Sequence, residues 1–295
     1  MPADLILDIG ANIGQFGCEV GRLNPDKNVI CIEPVPALAE TIQQRLSESC
    51  LSNVSVIQSA VGPQEGVADF NISKRGDWGI SSLLKISVNN VQGDEYWSSR
   101  SDLIYDETFK VDVSSLERIL DGLAFDRIPF IKIDVQGRDL DVLRSAGKYL
   151  SKIEAGVVEV VSTLSCSIYE DVHDDLRSCL NYLNENGFQV FYIKPNDPSA
   201  NEFNVFFAKV GCDLKVIERE LNLRGLAEYD GKFFWHAFSD SPSYADDLHK
   251  KLIEENERLL ARISELDSEV IRLDAEVNRL NTEIESNYIL KKSQE

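Results

Sequence analysis

Up to about residue 210, apolar positions follow two rhythms. Short, nearly unbroken apolar runs read as strands: LILDI (5–9), NVICIE (28–33), NVSVIQSAV (53–61), PFIKIDV (129–135), GVVEVV (156–161), FQVFYI (188–193) and FNVFFAK (203–209). Between them, GQFGCEVGRL, PALAETIQQRLSES, SSLERIL, RDLDVLRSAGKYL and DVHDDLRSCLNYLNEN carry apolar residues at helical spacing. Strands alternating with helices need crossover connections, which predicts an α/β fold with a largely parallel sheet. Unbroken apolar strands agree, because such a sheet is covered on both faces.

The rhythm breaks over 62–113. GVADFNIS and ETFKVDV read as extra strands, and the Gly, Ser and Asn-rich stretch between them predicts a lid at 74–105 that carries Trp78 and Trp97. Residues 211–243 read as a bridge, with a helix inside Leu214 to Leu223 and apolar bulk in FFWHAF; Pro242 in SDSPS marks its end.

After the bridge the period becomes seven. Leu252, Leu259, Leu266, Leu273 and Leu280 recur in register, each followed four residues later by Asn256, Ile263, Val270, Val277 and Ile284. Leucine at d with β-branched residues at a predicts a parallel two-stranded coiled coil, and Asn256 is the kind of buried polar residue that sets its register. Of the flanking charges, Arg262 can pair with Asp267 of a second chain, whereas Glu269 would face Asp274. The expected partition is a domain at 1–210, a linker at 211–243 and a coil at 244–290. The coil, over 245–288, would join the chain to a second copy or to another protein.

Composition narrows the class. The net charge of −20 disfavours nucleic acid and anionic membrane surfaces, which demand basic patches. No run approaches the ~20 apolar residues of a membrane span, and no charged-then-apolar leader opens the chain, so a cytoplasmic protein is expected. The six cysteines form no CxxC pair and read as reduced thiols.

The chemistry begins at LILDIGANIGQF. An apolar strand runs to Asp8 and Ile9, Gly10 permits a tight turn close to a ligand, and Gly14 opens a helix whose first N–H groups are free for one. A dinucleotide fingerprint reads G-x-G-x-x-G, but here its second glycine is Asn12, leaving a pyrophosphate less room. The turn suits a ligand without phosphates, such as S-adenosylmethionine. Glu33 ends the second strand, 19 residues after Gly14, where a carboxylate accepts ribose hydroxyls of NAD or of S-adenosylmethionine alike. In FIKIDVQGRDLDVLRSA, strand alternation puts Lys132, Asp134 and Gln136 on one face beside the same cleft.

In this order, DIGANIGQF, IEP, SAVG and IKIDVQGRDLDVLRSA make residues 4–210 resemble the FkbM family of S-adenosylmethionine-dependent methyltransferases. SSLERIL and VVEV also fit. The resemblance implies a Rossmann-like class I methyltransferase sheet with helices on both faces, here followed by a coiled-coil helix. It implies methyl transfer to a hydroxyl of a sugar or polyketide-type acceptor. Carried over by position, Asp8, Gly10, Asn12 and Gly14 would form the methionine-end pocket, Glu33 would hold the ribose, and Ser59 and Ala60 would lie near the adenine. Two departures stand out. The family usually has glutamate where this chain has Gln136, so an acceptor-deprotonating role would pass to another base. The first strand also starts almost at Met1, so the cover that relatives place upstream would come from the tail region, from another chain or from residues preceding this start.

A hydroxyl needs a base before it can attack a methyl group. Asp134 is the first candidate, Lys132 the second if its pKa falls, and His173 the third as a residue that could enter the cleft. Glu159, charged inside an apolar strand, needs a partner. No spacing argues for a metal site. Two rival readings remain: a nicotinamide-dependent oxidoreductase on a similar fold, and an inactive methyltransferase-like scaffold working through its coil.

Overall fold

The computed structural model describes residues 4–226, Phe234, Trp235 and scattered positions between 258 and 279. Its main sheet has seven strands in the order β3-β2-β1-β7-β8-β10-β9. They are β1 Leu5–Ile9, β2 Asn28–Ile32, β3 Val54–Ile57, β7 Phe130–Ile133, β8 Ala155–Val161, β9 Phe188–Pro195 and β10 Glu202–Lys209. Strands β3, β2, β1, β7 and β8 are parallel, and β10 runs antiparallel between β8 and β9. The chain steps outward from β1 to β3 and then returns to place β7 on the other side of β1. The carboxyl ends of β1 and β7 therefore flank a topological switch point, where open α/β sheets bind ligands.

Alternation along β1 divides the core. Leu5, Leu7 and Ile9 pack with Ile131, Ile133, Leu116, Leu120, Leu143 and Leu183, which brings in α5 Leu116–Asp121, α6 Asp139–Arg144 and α7 Leu176–Glu185. Ile6 packs on the opposite face with Phe130, Val157, Val20 and Ile42, the last two from α1 Gln15–Leu23 and α2 Pro36–Glu48. Helices on both faces of a mostly parallel sheet are the arrangement the apolar pattern predicts.

Three expectations are corrected, and the expected lid gains internal structure. The single strand at 53–61 is two: β3 stays in the main sheet, while β4 Ala60–Val61 joins β5 Gly66–Ile72 and β6 Glu107–Ser114 in a second sheet of order β4-β6-β5. Ser59 sits at the break, and its hydroxyl donates to the carbonyls of Ala60 and Asp112. The helix expected over 138–150 ends at Arg144 and resumes as a 3-10 turn at Gly147–Lys152. The helix expected from 171 begins at Leu176, because Asp175 and Ser178 form a capping box there. The lid at 74–105 is a packed substructure. It contains a 3-10 turn at Trp78–Ile80, α3 Val88–Gly93 and α4 Glu95–Ser99. Its Ile80, Leu84, Trp97 and Leu103 share an apolar cluster with Ile168 and Tyr169. Arg100 holds Asp77 at 2.9 Å and Asp102 at 2.6 Å, and Trp97 donates its indole N–H to the Cys166 carbonyl.

Beyond β10, α8 Leu214–Glu220 packs Leu214 and Ile217 onto the α1 face, joined by Leu221, Leu223, Leu226, Phe234 and Trp235. The chain divides into two compact units, Met1–Phe238 and Ser239–Glu295. In the second unit the described positions are helical and exposed, Leu259, Ile263, Leu266, Val270, Leu273 and Val277 among them. Leu252, Asn256, Leu280 and Ile284 lie outside the described residues. No described helix is long and apolar enough to cross a membrane.

Candidate functional site

A cleft of about 610 Å³ opens at the switch point. Its floor is the turn after β1. Gly10 adopts φ +75°, and a Cβ there would lie 1.7 Å from the Asp134 carbonyl oxygen, so only glycine lets β1 and β7 close at this end. Asn12 takes the left-handed region at φ 51°, which asparagine tolerates, and so aims its N–H at Glu33. Gly14, at φ 73°, caps α1, and a Cβ there would press on Ile42.

Asp8 lies under the turn, fully buried. Its Oδ2 accepts the Gly17 N–H of α1 at 2.9 Å, so one amide of that helix N-terminus is already engaged. Its Oδ1 has no hydrogen-bond partner among the described residues and lies 4.0 Å from the Lys132 ammonium. Burial raises the Asp8 pKa, against the pull of Lys132.

Glu33 stands at the end of β2, 4% exposed. Its oxygens accept the N–H groups of Asn12 at 2.8 Å and Val35 at 2.9 Å. Burial pushes its pKa up to about 7, and the two N–H bonds oppose the rise. Ser59 and Ala60 line the cleft beyond Glu33.

The opposite wall comes from β7 and β8. Lys132 donates to Asp134 at 3.1 Å, and Gln136 donates to Asp134 at 2.7 Å and to Glu159 at 2.8 Å. The Tyr169 hydroxyl donates to Gln136 Oε1 at 2.7 Å, while Asn196 donates to the other Glu159 oxygen. Desolvation favours a neutral Asp134, but Lys132 and Gln136 outweigh it and hold the carboxyl below its usual range. Glu159 goes the other way: burial, then the nearby acids Asp134, Glu202 and Asp139, raise it far above the carboxylate range. Asp139 accepts the N–H groups of Val135 and Gly137, bracing the loop that carries Gln136.

The family comparison agrees with this geometry: residues 8–190 match the family described as Methyltransferase FkbM domain. The chain belongs to the FkbM methyltransferase family. Among curated relatives it is similar to Methyltransferase 1 of Beauveria bassiana, 24% identical over 196 residues that span 65% of this chain and 74% of that protein. It is also similar to 2-O-methyltransferase NoeI of Sinorhizobium fredii, 27% identical over 155 residues that span 51% of this chain and 60% of that protein. Among solved structures, TrmK of M. capricolum in complex with S-adenosyl-homocysteine covers 73% of this chain and 68% of its own, at 8% identity and TM-score 0.40.

In this FkbM methyltransferase, Asp8, Gly10, Asn12, Glu33, Ser59, Ala60, Lys132 and Asp134 all border the one cleft. Gly14 does not line it; its place is the packing of α1 against α2. His173 does not line it either. The capping box at Asp175 leaves His173 exposed in the loop before α7. Lys132 is unsuited to act as a base: burial disfavours its charge, but Asp134 and Asp8 more than restore it and hold the ammonium above the usual lysine range. The cleft also takes Trp78 and Arg100 from the packed 74–105 segment, Asn196, Glu202 and Asn204 from the β9–β10 hairpin, and Phe234 from beyond α8. Chain pattern marks Trp78, in the expected lid; the positions of the others follow from how distant segments fold over the strand ends.

Proposed function

We propose that this protein is an S-adenosylmethionine-dependent O-methyltransferase acting on a hydroxyl of a sugar, glycan or related natural-product acceptor. One observation carries the reading: a buried, N–H-bonded Glu33 and the Asp134 carboxyl held by Lys132 and Gln136 face the same cleft across the Gly10 turn.

The residues present fit the cofactor. The Glu33 carboxylate suits two vicinal ribose hydroxyls. The half-satisfied Asp8 carboxylate suits a cationic ligand end. The Gly17 amide engaged by Asp8 is one donor fewer for a pyrophosphate, which speaks against a dinucleotide. When bound, S-adenosylmethionine supplies an activated methyl group.

The protein's part is to orient the acceptor and to take its proton. Asp134 is the group placed to accept it: its carboxyl borders the cleft, and Lys132 and Gln136 fix its orientation. Gln136 fixes the orientation of Asp134 and of Glu159 by donating to both. Gln136 therefore need not be a base for the cleft to contain one. Trp78, Asn196 and Asn204 offer an aromatic face and amides, groups suited to a hydroxyl-rich acceptor. Through its heptads, the second unit would pair the enzyme with a second copy of itself.

Calorimetric titration with S-adenosylmethionine, with NAD as the control, tests the reading. Binding of the first alone, weakened at least tenfold in Glu33→Ala, is expected. Binding of NAD alone would overturn it.

A further inference from the structure

Phe234 lies outside the matched residues 8–190, yet it borders the cleft. It is 5% exposed, and its ring centroid lies 5.0 Å from that of Phe16, 5.9 Å from Phe130 and 5.8 Å from Phe206. Phe16 is the second residue of α1 and also lines the cleft. Two aromatic rings thus form a wall beside the start of α1, in a cleft that Asp8 and Lys132 also line.

Trp235 holds this wall in place. It is 1% exposed, and its indole N–H donates to Glu218 of α8 at 2.9 Å. Its ring packs on Phe130, Phe206 and Phe191 with centroids 5.8, 6.0 and 5.3 Å away. The Phe234 N–H reaches the Leu226 carbonyl. Adjacent residues thus divide the work: Trp235 is sunk in the core, and Phe234 is presented to the ligand space.

We propose that Phe234 is a cofactor-contacting residue that, with Phe16, walls the sulfonium-bearing end of S-adenosylmethionine. The proposal rests on the methyltransferase reading above. A sulfonium is a cation wrapped in carbon. An aromatic wall offers such a group both dispersion and the negative face of the ring, and the Asp8 carboxylate lies on the cleft floor. The apolar layer over Phe130, Val157 and Phe206 is built from α8, Leu223, Leu226, Phe234 and Trp235.

The test is calorimetric titration of the full chain with S-adenosylmethionine and with S-adenosyl-homocysteine, in the unaltered protein, Phe234→Ala and Phe234→Leu. Circular dichroism and thermal midpoints certify that each variant is folded. Phe234→Ala is expected to weaken S-adenosylmethionine about tenfold or more, and the uncharged product less. Phe234→Leu keeps bulk without the ring and is expected to recover the product's affinity but not the sulfonium's. Should Phe234→Ala not fold, Phe234→Leu alone decides. A folded variant that binds both ligands as tightly as the unaltered chain overturns the proposal. Failure of the unaltered chain to bind either ligand overturns the methyltransferase reading, and this inference with it.

Discussion

Gln136 donates its side-chain amide to the Glu159 carboxyl across 2.8 Å. The same nitrogen serves Asp134, so one neutral donor bridges two acids in the wall of the cleft. Gln136→Glu would replace that donor with a third carboxyl. Expected is a loss of about 2–4 kcal/mol of stability near pH 8, because the wall then holds acids without the donor that bridged them. The loss should shrink near pH 5, where the added acid takes up a proton. Thermal unfolding at both pH values checks this, and an equal loss at both defeats the electrostatic account.

Gly10→Ala asks for a methyl group 1.7 Å from the backbone oxygen of Asp134, at a positive φ. Neither atom is the end of a flexible side chain. The cost is expected to exceed about 3 kcal/mol. Gly14→Ala meets only the Ile42 side chain and should cost about 1–2 kcal/mol. Denaturant titration of the two variants should give that order; the reverse order would mean that the turn relaxes more easily than α1 against α2.

The pKa of Glu33 stands near 7 in the fold because of burial. A raised acid binds its proton more tightly when folded than when unfolded. Its contribution is therefore fully present below about pH 4.5 and is lost as pH rises through 7, a slope totalling at most about 3 kcal/mol. Glu33→Gln should flatten stability between about pH 5 and 7. Affinity for S-adenosyl-homocysteine should run opposite, rising through pH 7 as the carboxylate ionises, with no such rise in Glu33→Gln. A pH-independent affinity in the unaltered chain would separate Glu33 from the ribose.

Leu259, Leu266 and Leu273 are 54, 45 and 54% exposed, and Ile263 and Val270 beside them are similarly open. A stripe of this kind is expected to be covered by a second copy. Light scattering should give a dimer for the full chain and a monomer for Leu266→Glu with Leu273→Glu, with cofactor affinity unchanged. A monomeric unaltered chain would rule out self-pairing.

Local chemistry announced much of this. Strand and helix periods depend on neighbours a few residues away, so β1, β2, β7, β8, α1 and α2 are visible in the apolar pattern. The cleft-lining residues Gly10, Asn12, Glu33 and Asp134 are visible too, because they sit at strand ends where the turn dictates the residue. Where long-range packing competes with local preference, the pattern misleads. The run over 53–61 reads as one strand, and the partition between two sheets after Ser59 comes from the pairing of Ala60 and Val61 with Val113 and Ser114 of β6. The 74–105 stretch reads as a loop without packing of its own, and its apolar partners Ile168 and Tyr169 lie some seventy residues along the chain. The charge states are likewise beyond the linear order. Lys132 reads as a base until Asp8 and Asp134 are both beside it, and Gln136 reads as a lost glutamate until Glu159 and Tyr169 are seen to hold its amide. A residue's place in a strand is a matter of its neighbours in sequence; its proton affinity and its ligand depend on neighbours in space, which the chain acquires on folding.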